Sequence, residues 1–278
     1  MKTKQKFLYE TSNQYWLNDL GLKPDFPIII AGPCAVESYQ ITIKTALILK
    51  KMGINILRGG AYKPRTSPYS FQGLEEKGLD ILKTARKKSG IKIVTELVDA
   101  ALYEKVAEVA DIIQIGSRNA QNFSLLKRVG KGKKPVLLKR GMMNTVEEFL
   151  MSAEYILSQG NGKVILCERG VRTFDNTLRN TLDVGAIAVL KSKTNLPVIV
   201  DPSHASGVKN YVLPLALAGM AAGAQGVIVE VHPEPDKALC DGKQSLNINE
   251  FSVLYNKIVE FYSFNKCKHQ ITNMYNYN

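Results

Sequence analysis

Short apolar, β-rich runs recur along the chain, each followed by a stretch whose apolar positions fall at helical spacing. The runs cover residues 27–32, 54–59, 91–96, 111–115, 135–139, 163–168, 197–201 and 225–230. They are continuous in Val, Ile and Leu rather than alternating, the pattern of a parallel sheet whose outer face is covered. Between them, residues 144–160 predict a helix with Val146, Phe149, Leu150, Ala153 and Leu157 on one face. Asn144 with Glu147 reads as its capping box and Gly160 as its stop. The last helix opens on Asn247 and Glu250 and carries Phe251, Leu254, Tyr255 and Ile258 as a stripe. Eight such β/α units predict an α/β fold of the (β/α)8 TIM-barrel type. An open doubly wound sheet uses the same elements and stands as the alternative.

Connections sharpen this reading. Helix-to-strand links are tight, as at residues 110–111 and 223–225, whereas strand-to-helix links include two long ones, 60–73 and 231–247. In barrels the loops after the strands build the active site, and long loops are usually functional. The expected organisation is a short N-terminal extension at 1–26, a single catalytic barrel at 27–264, and a polar tail at 265–278 that frays.

Composition narrows the classes. With 278 residues, 45% hydrophobic and 22% charged, the chain excludes disordered and collagen-like types. No apolar run approaches the roughly 18 residues of a membrane span, and the first residues lack a secretory apolar core. A cytoplasmic protein that meets no membrane is the expectation. Cysteines at 34, 167, 240 and 267 then read as core thiols or metal ligands rather than as a disulfide framework. The net charge of +12 lies largely in runs such as 50–51, 86–88 and 131–134, which read as solvated helix faces. The same charge would suit an anionic substrate or a nucleic acid. No nucleic-acid motif is present and the aromatics are not interleaved with the basic runs, so no nucleic-acid partner is expected.

Polar chemistry accumulates where the strands end. Cys34 follows the first strand, and Arg58 ends the second ahead of Lys63, Pro64, Arg65 and Thr66. Glu96, Gln114 and Arg118, Lys139 and Arg140, Glu168 and Arg169, Asp201 with His204, and Glu230 with His232 follow in order, then Asp241 in the last loop. Left unpaired at the ends of buried strands, such groups would be costly. Cys34, His204, Glu230 and Asp241 make a candidate ligand set for a divalent first-row ion. The bland reading gives a small buried thiol, an ion-pair partner and a turn residue, and no tight ligand spacing decides between them. Arg58, Lys63, Arg65, Arg118, Lys139 and Arg169 form a cationic set suited to phosphate and carboxylate. Singly, each has an ion pair with Glu96 or Glu168 as its ordinary explanation.

These residues carry a family resemblance. The stretches AGPCAVES at 31–38, LRGGAYKPRTSPYSFQGL at 57–74 and QIGSRN at 114–119 match in order, followed by LKRG at 138–141 and CERG at 167–170. DPSH at 201–204, EVHP at 230–233 and DG at 241–242 complete the series. The chain resembles the 3-deoxy-D-arabino-heptulosonate 7-phosphate (DAHP) synthases of the type I-beta branch, the first enzymes of the shikimate pathway to aromatic amino acids. The resemblance implies a (β/α)8 barrel that condenses phosphoenolpyruvate with erythrose 4-phosphate. It implies one divalent ion (Mn, Fe, Zn or Co) on Cys34, His204, Glu230 and Asp241. It further implies phosphoenolpyruvate on Arg58, Lys63, Arg118, Lys139 and Arg169, and erythrose 4-phosphate on Pro64, Arg65 and Thr66. Lys63, His204 and Cys34 would be the catalytic set, with Lys63 and His204 as candidate proton carriers and Asp201 and Glu96 in reserve.

A sister family uses arabinose 5-phosphate to make 3-deoxy-D-manno-octulosonate 8-phosphate, and shows Lys-Ala-Asn-Arg where this chain has residues 63–66. Pro64 and Arg65 therefore favour the four-carbon aldose. Two departures from the resembled family are Ala35 and Cys240, both at positions where serine is common. The resemblance also implies a homo-oligomer, dimer or tetramer. Relatives often add an N-terminal ferredoxin-like or a chorismate mutase domain for feedback inhibition, for which 26 residues are too few. The expectation is a chain insensitive to aromatic amino acids, chorismate and prephenate unless a separate chorismate mutase docks on it.

Overall fold

The computed structural model describes residues 14–23 and 25–275, with side chains to residue 265. Strands and helices alternate: β1 (Ile28–Gly32), α1 (Tyr39–Lys51), β2 (Ile56–Arg58), α2 (Glu75–Ser89), β3 (Lys92–Glu96), α3 (Tyr103–Val109), β4 (Ile112–Ile115) and α4 (Phe123–Gly130). They continue as β5 (Val136–Lys139), α5 (Val146–Leu157), β6 (Val164–Glu168), α6 (Val184–Lys193), β7 (Val198–Val200), a short α7 (Pro202–Ser206), α8 (Val212–Ala221), β8 (Gly226–Glu230) and α9 (Ile248–Tyr275). The parallel strands pair in sequence order, and β8 returns to β1 in the register Ile28 to Gly226 through Gly32 to Glu230. That pairing closes the barrel and excludes the open sheet.

All eight expected strands are present, several beginning a residue later than the apolar run. Pro135 and Pro197 explain two of these starts: each accepts a bond from a neighbouring strand, from Ile113 and Leu166, but has no N–H to donate. Both faces of the sheet are buried. Ile29, Leu57, Ile93 and Val229 face the helix layer, while Ile30, Ile56, Val94 and Ile228 fill the interior.

Three expectations need correction. The capping box of α5 is Thr145 with Glu148, one residue beyond the expected pair; each side chain accepts from the other's backbone N–H. Asn144 is buried instead in the preceding turn. The tail expected from residue 265 continues α9 to Tyr275. The extension is also more than an appendage. Residues 1–13 and 24 lie outside the described residues, but Tyr15–Leu20 forms a 3-10 helix whose Leu20, with Leu22, Trp16 and Leu17, packs onto the inner cluster. Gln14 bonds to the carbonyl of Asn195, and the Asn55 side chain donates to Gly21 O, both partners preceding a strand. The segment thus plugs the barrel floor, opposite the strand C-termini.

Closure depends on one glycine. A Cβ on Gly226 would lie 2.0 Å from the Ile28 carbonyl oxygen, so β1 and β8 approach as closely as they do only without it. Gly226→Ala should cost about 3 kcal/mol of unfolding free energy through this overpacking. Urea titration followed by circular dichroism measures it, and an unshifted midpoint would contradict the close approach.

Candidate active site

The period-two rule of the strand builds the site. Interior residues Ile56, Val94, Ile112, Leu137, Ile199 and Ile228 are each followed, two positions on, by Arg58, Glu96, Gln114, Lys139, Asp201 and Glu230. Side chains two apart share a face, so six of the eight strands fill the core at their middle and deliver a polar group to the mouth at their end. Glu168 breaks the series because Cys167, not Glu168, shares the inward face of Ile165. The Glu168 carboxylate accepts from Arg140 Nη1 at 2.8 Å and Gly170 N–H at 2.6 Å, and Arg140 also reaches Asp183 at 3.0 Å. Glu168 and Arg140 therefore hold the outer wall together and leave the mouth to the others.

Cys34, His204, Glu230 and Asp241 converge, with one ligand atom from each lying within 4.8 Å of all the others. Cys34 Sγ is 3.1 Å from Asp241 Oδ2, and His204 Nε2 is 3.3 Å from Glu230 Oε1 and 3.9 Å from Asp241 Oδ2. Short α7 places His204. The Asp201 side chain caps it by accepting from His204 N–H at 3.0 Å, and Pro202 supplies its first turn. The same Asp201 lies 2.8 Å from His204 Nδ1 through its Oδ2, which leaves Nε2 facing the cluster. Asp241 sits in the left-handed region at φ 54°, a conformation Asp tolerates better than most residues.

Burial lowers the His204 pKa despite Asp201 and Glu230 opposing it, a direction that favours the neutral imidazole a metal ion requires. For Asp201 burial alone would act upward, but His204 and Lys139 hold its carboxyl well below the ordinary value. Asp241 is likewise depressed against burial, by His204 and Arg179. Glu230 Oε1 is buried with no hydrogen-bond partner, while Gln244 Nε2 donates to Oε2 at 2.6 Å. A carboxylate oxygen that accepts no hydrogen bond and has only ion-pair contacts, beside an imidazole, a thiol and a second carboxylate, suits a divalent transition ion. The residues fit the group.

Cations surround this cluster. Arg58 Nη2 lies 3.1 Å from Glu230 Oε1, and Lys139 Nζ pairs with Asp201. Arg58, Lys139 and Arg169 are all buried. Lys63 Nζ donates to Cys34 O and contacts Cys34 Sγ, both at 3.1 Å. Burial works against the charge of Arg58 and Lys63, but Glu230 beside the first and Cys34 beside the second more than offset it and hold both cationic. Arg58 Nε and Nη1 are buried without a hydrogen-bond partner. Arg118 and Thr66 stand at the exposed rim, 3.5 Å apart, and Arg65 Nε donates to Phe71 O. With Pro64, Arg65 and Arg169 they border the same cleft over His204 and Asp241, apart from Thr66, which touches it through Arg118.

Two contributors carried no local signal. Arg179, on the loop between β6 and α6, reaches Asp241 Oδ1 at 3.4 Å and Gln244 Oε1 at 2.8 Å. Gln244 in turn orients Glu230. That loop spans residues 169–183, intermediate in length between the two singled out from the sequence, and its length was the available clue.

The comparisons agree with this geometry. The family described as DAHP synthetase I matches residues 23–264. A phospho-2-dehydro-3-deoxyheptonate aldolase of Thermotoga maritima is 57% identical over 238 residues, covering 86% of this chain and 70% of that protein. A 2-dehydro-3-deoxyphosphooctonate aldolase of Syntrophobacter fumaroxidans is 32% identical over 252 residues, covering 84% of this chain and 86% of that one. The crystal structure of the Thermotoga maritima DAHP synthase superposes with a TM-score of 0.82 at 56% identity, covering 84% of this chain and 69% of that one. A truncated form of the Thermotoga enzyme gives 0.78 at 52% identity, covering 84% and 86%. Among the described residues no helix is long and apolar enough to cross a membrane. By profile, by sequence and by fold, the chain belongs to the DAHP synthetase I family.

Proposed function

We propose that the barrel mouth is the active site of a 3-deoxy-7-phosphoheptulonate synthase, a transferase that joins phosphoenolpyruvate to erythrose 4-phosphate and releases inorganic phosphate. The carrying observation is that one mouth combines an imidazole, a thiol and two carboxylates with the buried cations Arg58, Lys139 and Arg169. Cys34, His204, Glu230 and Asp241 would hold a divalent ion, with Mn, Fe, Zn and Co all compatible with so mixed a donor set. Bound there, it supplies Lewis acidity at the aldehyde oxygen of the sugar phosphate.

The rest is the work of the side chains. Arg58, Lys139 and Arg169, with Arg118 at the rim and Lys63 inside, bind the phosphate and carboxylate of phosphoenolpyruvate. They fix its C3 against C1 of the aldehyde, a positioning effect. Pro64, Arg65 and Thr66 receive erythrose 4-phosphate from the rim. C3 attacks C1, water adds at C2, and the hemiketal phosphate breaks its C–O bond. Both nitrogens of His204 face carboxylates, whereas Lys63, held cationic against Cys34, would act as a proton donor. Phosphorylated substrates argue for a cytoplasmic enzyme; a homo-oligomer and a chorismate mutase partner rest on the family resemblance and are to be tested.

The test is loss of phosphoenolpyruvate absorbance with metal and either erythrose 4-phosphate or arabinose 5-phosphate. The four-carbon sugar should be preferred by about 100-fold, the scale at which a wrong fit in a pocket discriminates. Equal turnover of arabinose 5-phosphate would move the chain to the octulosonate reaction named for the 32% identical relative.

A further inference from the structure

The loop after β8 spans residues 231–247 and brings Asp241 and Gln244 to the site. Its base is closed by backbone bonds, from Val231 N–H to Gly32 O, His232 N–H to Leu246 O and Leu246 N–H to Glu230 O. Its far part is held to the segment after β1 through a buried carboxylate. Glu37 stands immediately before Ser38, which caps α1, and just after Val36, whose N–H bonds to Gly60 O, so the backbone on both sides of it is fixed. Glu37 Oε1 accepts from Leu239 N–H at 2.9 Å, and Oε2 lies 3.4 Å from His232 Nε2. The Glu37 side chain is only 3% exposed and that of His232 1%, a costly place for a carboxylate. His232 Nδ1 accepts from Glu234 N–H at 3.0 Å, which puts the ring hydrogen on Nε2, toward Glu37.

We propose that Glu37 is a positioning residue of the metal centre, the strap that ties the loop after β8 to the segment after β1 and so sets Asp241 against Cys34. The lever is short at both ends. Leu239 is two residues from Asp241 and Glu37 three from Cys34, and Asp241 Oδ2 comes to 3.1 Å from Cys34 Sγ. Asp241 needs such a hold, because its backbone at φ 54° is a conformation that persists only where the surroundings enforce it. Arg179 grips it from the loop after β6, but with a side chain 37% exposed, whereas the Glu37 contacts are buried. The strap also requires a carboxylate. Both groups that face Glu37 are N–H donors, and a carboxylate accepts from both. An amide of the same shape cannot, since whichever way it is turned its NH2 meets one of them.

This inference rests on the proposed metal centre, and its test keeps the two apart. The near-isosteric Glu37→Gln and the truncating Glu37→Ala are compared with the wild-type full chain in three measurements. These are hydrogen exchange of peptides covering residues 234–246 in metal-free buffer, equilibrium dialysis of zinc, and calorimetry of phosphoenolpyruvate binding to the metal-free chain. In both variants the loop peptides should exchange about tenfold faster, and zinc affinity should fall by about tenfold. Affinity for phosphoenolpyruvate should stay within about twofold, because Arg58, Lys139 and Arg169 share no partner with Glu37. A general loosening of the mouth would lower both affinities together. A wild-type chain that binds no zinc would refute the metal reading, and the exchange rates would still decide the strap. Unchanged exchange in Glu37→Ala would overturn the proposal, as would faster exchange with zinc affinity intact or a parallel loss of phosphoenolpyruvate affinity.

Discussion

Stripped of divalent ions by a chelator, the chain should lose its consumption of phosphoenolpyruvate by about a thousandfold, the rate equivalent of several kcal/mol of Lewis-acid stabilisation. Several divalent ions should restore it, because a thiol, an imidazole and two carboxylates mix soft and hard donors and select weakly among first-row metals. Cys34→Ala should resist rescue at ordinary ion concentrations. It removes the thiolate donor and leaves Lys63 without its sulfur contact. The assay is the fall in phosphoenolpyruvate absorbance with erythrose 4-phosphate, before and after ion replacement. Undiminished turnover in metal-free buffer would refute the proposed mechanism.

Asp201→Asn should damage both fold and centre. The carboxylate is fully buried between Lys139 Nζ and His204 Nδ1. Neutralising it strands a buried ammonium, for which breaking one side of such a pair costs about 3–5 kcal/mol. It also releases the imidazole orientation that keeps Nε2 toward Glu230, with a loss of about 10–100-fold in metal affinity. Urea unfolding measures the first effect and equilibrium dialysis of zinc the second. A double variant with Lys139→Met should recover part of the stability but none of the metal affinity, because Lys139 bears on the charge balance and Asp201 alone orients the imidazole. Recovery of both together would mean that Asp201 acts on the centre only through Lys139.

The strands were legible because a barrel strand is buried on both faces, so its apolar run is unbroken and its end is marked by the first charge. The inward direction of those charges follows from parity, as Ile56 to Arg58 or Ile228 to Glu230 shows. By the same count Glu168 points outward, which a list of charged strand ends does not reveal. The strand ends offered the candidate metal cluster as one reading among bland ones, and only the family motifs chose it. Cys34 and Asp241 are 207 positions apart, and no local spacing relates them. Arg179 and Gln244 stayed hidden for a similar reason: they act through contacts across the loops, Arg179 to Asp241 and Gln244 and Gln244 to Glu230, and neither stands at a strand end. The floor plug was missed because Trp16, Leu17, Leu20 and Leu22 are too few to form a periodic stripe, and their partners lie inside a barrel that sequence alone does not close.

That plug fixes how the molecule can be handled. Gln14 and the 3-10 helix Tyr15–Leu20 lie at the floor, on the far side of the barrel from Lys63, Arg118 and His204. An affinity handle or a covalent linker to a solid support placed there would therefore hold each barrel with its mouth toward the flowing solution. Attachment through lysines in general is a poorer choice, since Lys63 and Lys139 are themselves amines of the mouth. An immobilised preparation made through the N-terminal side should keep the affinity for phosphoenolpyruvate that the free chain has.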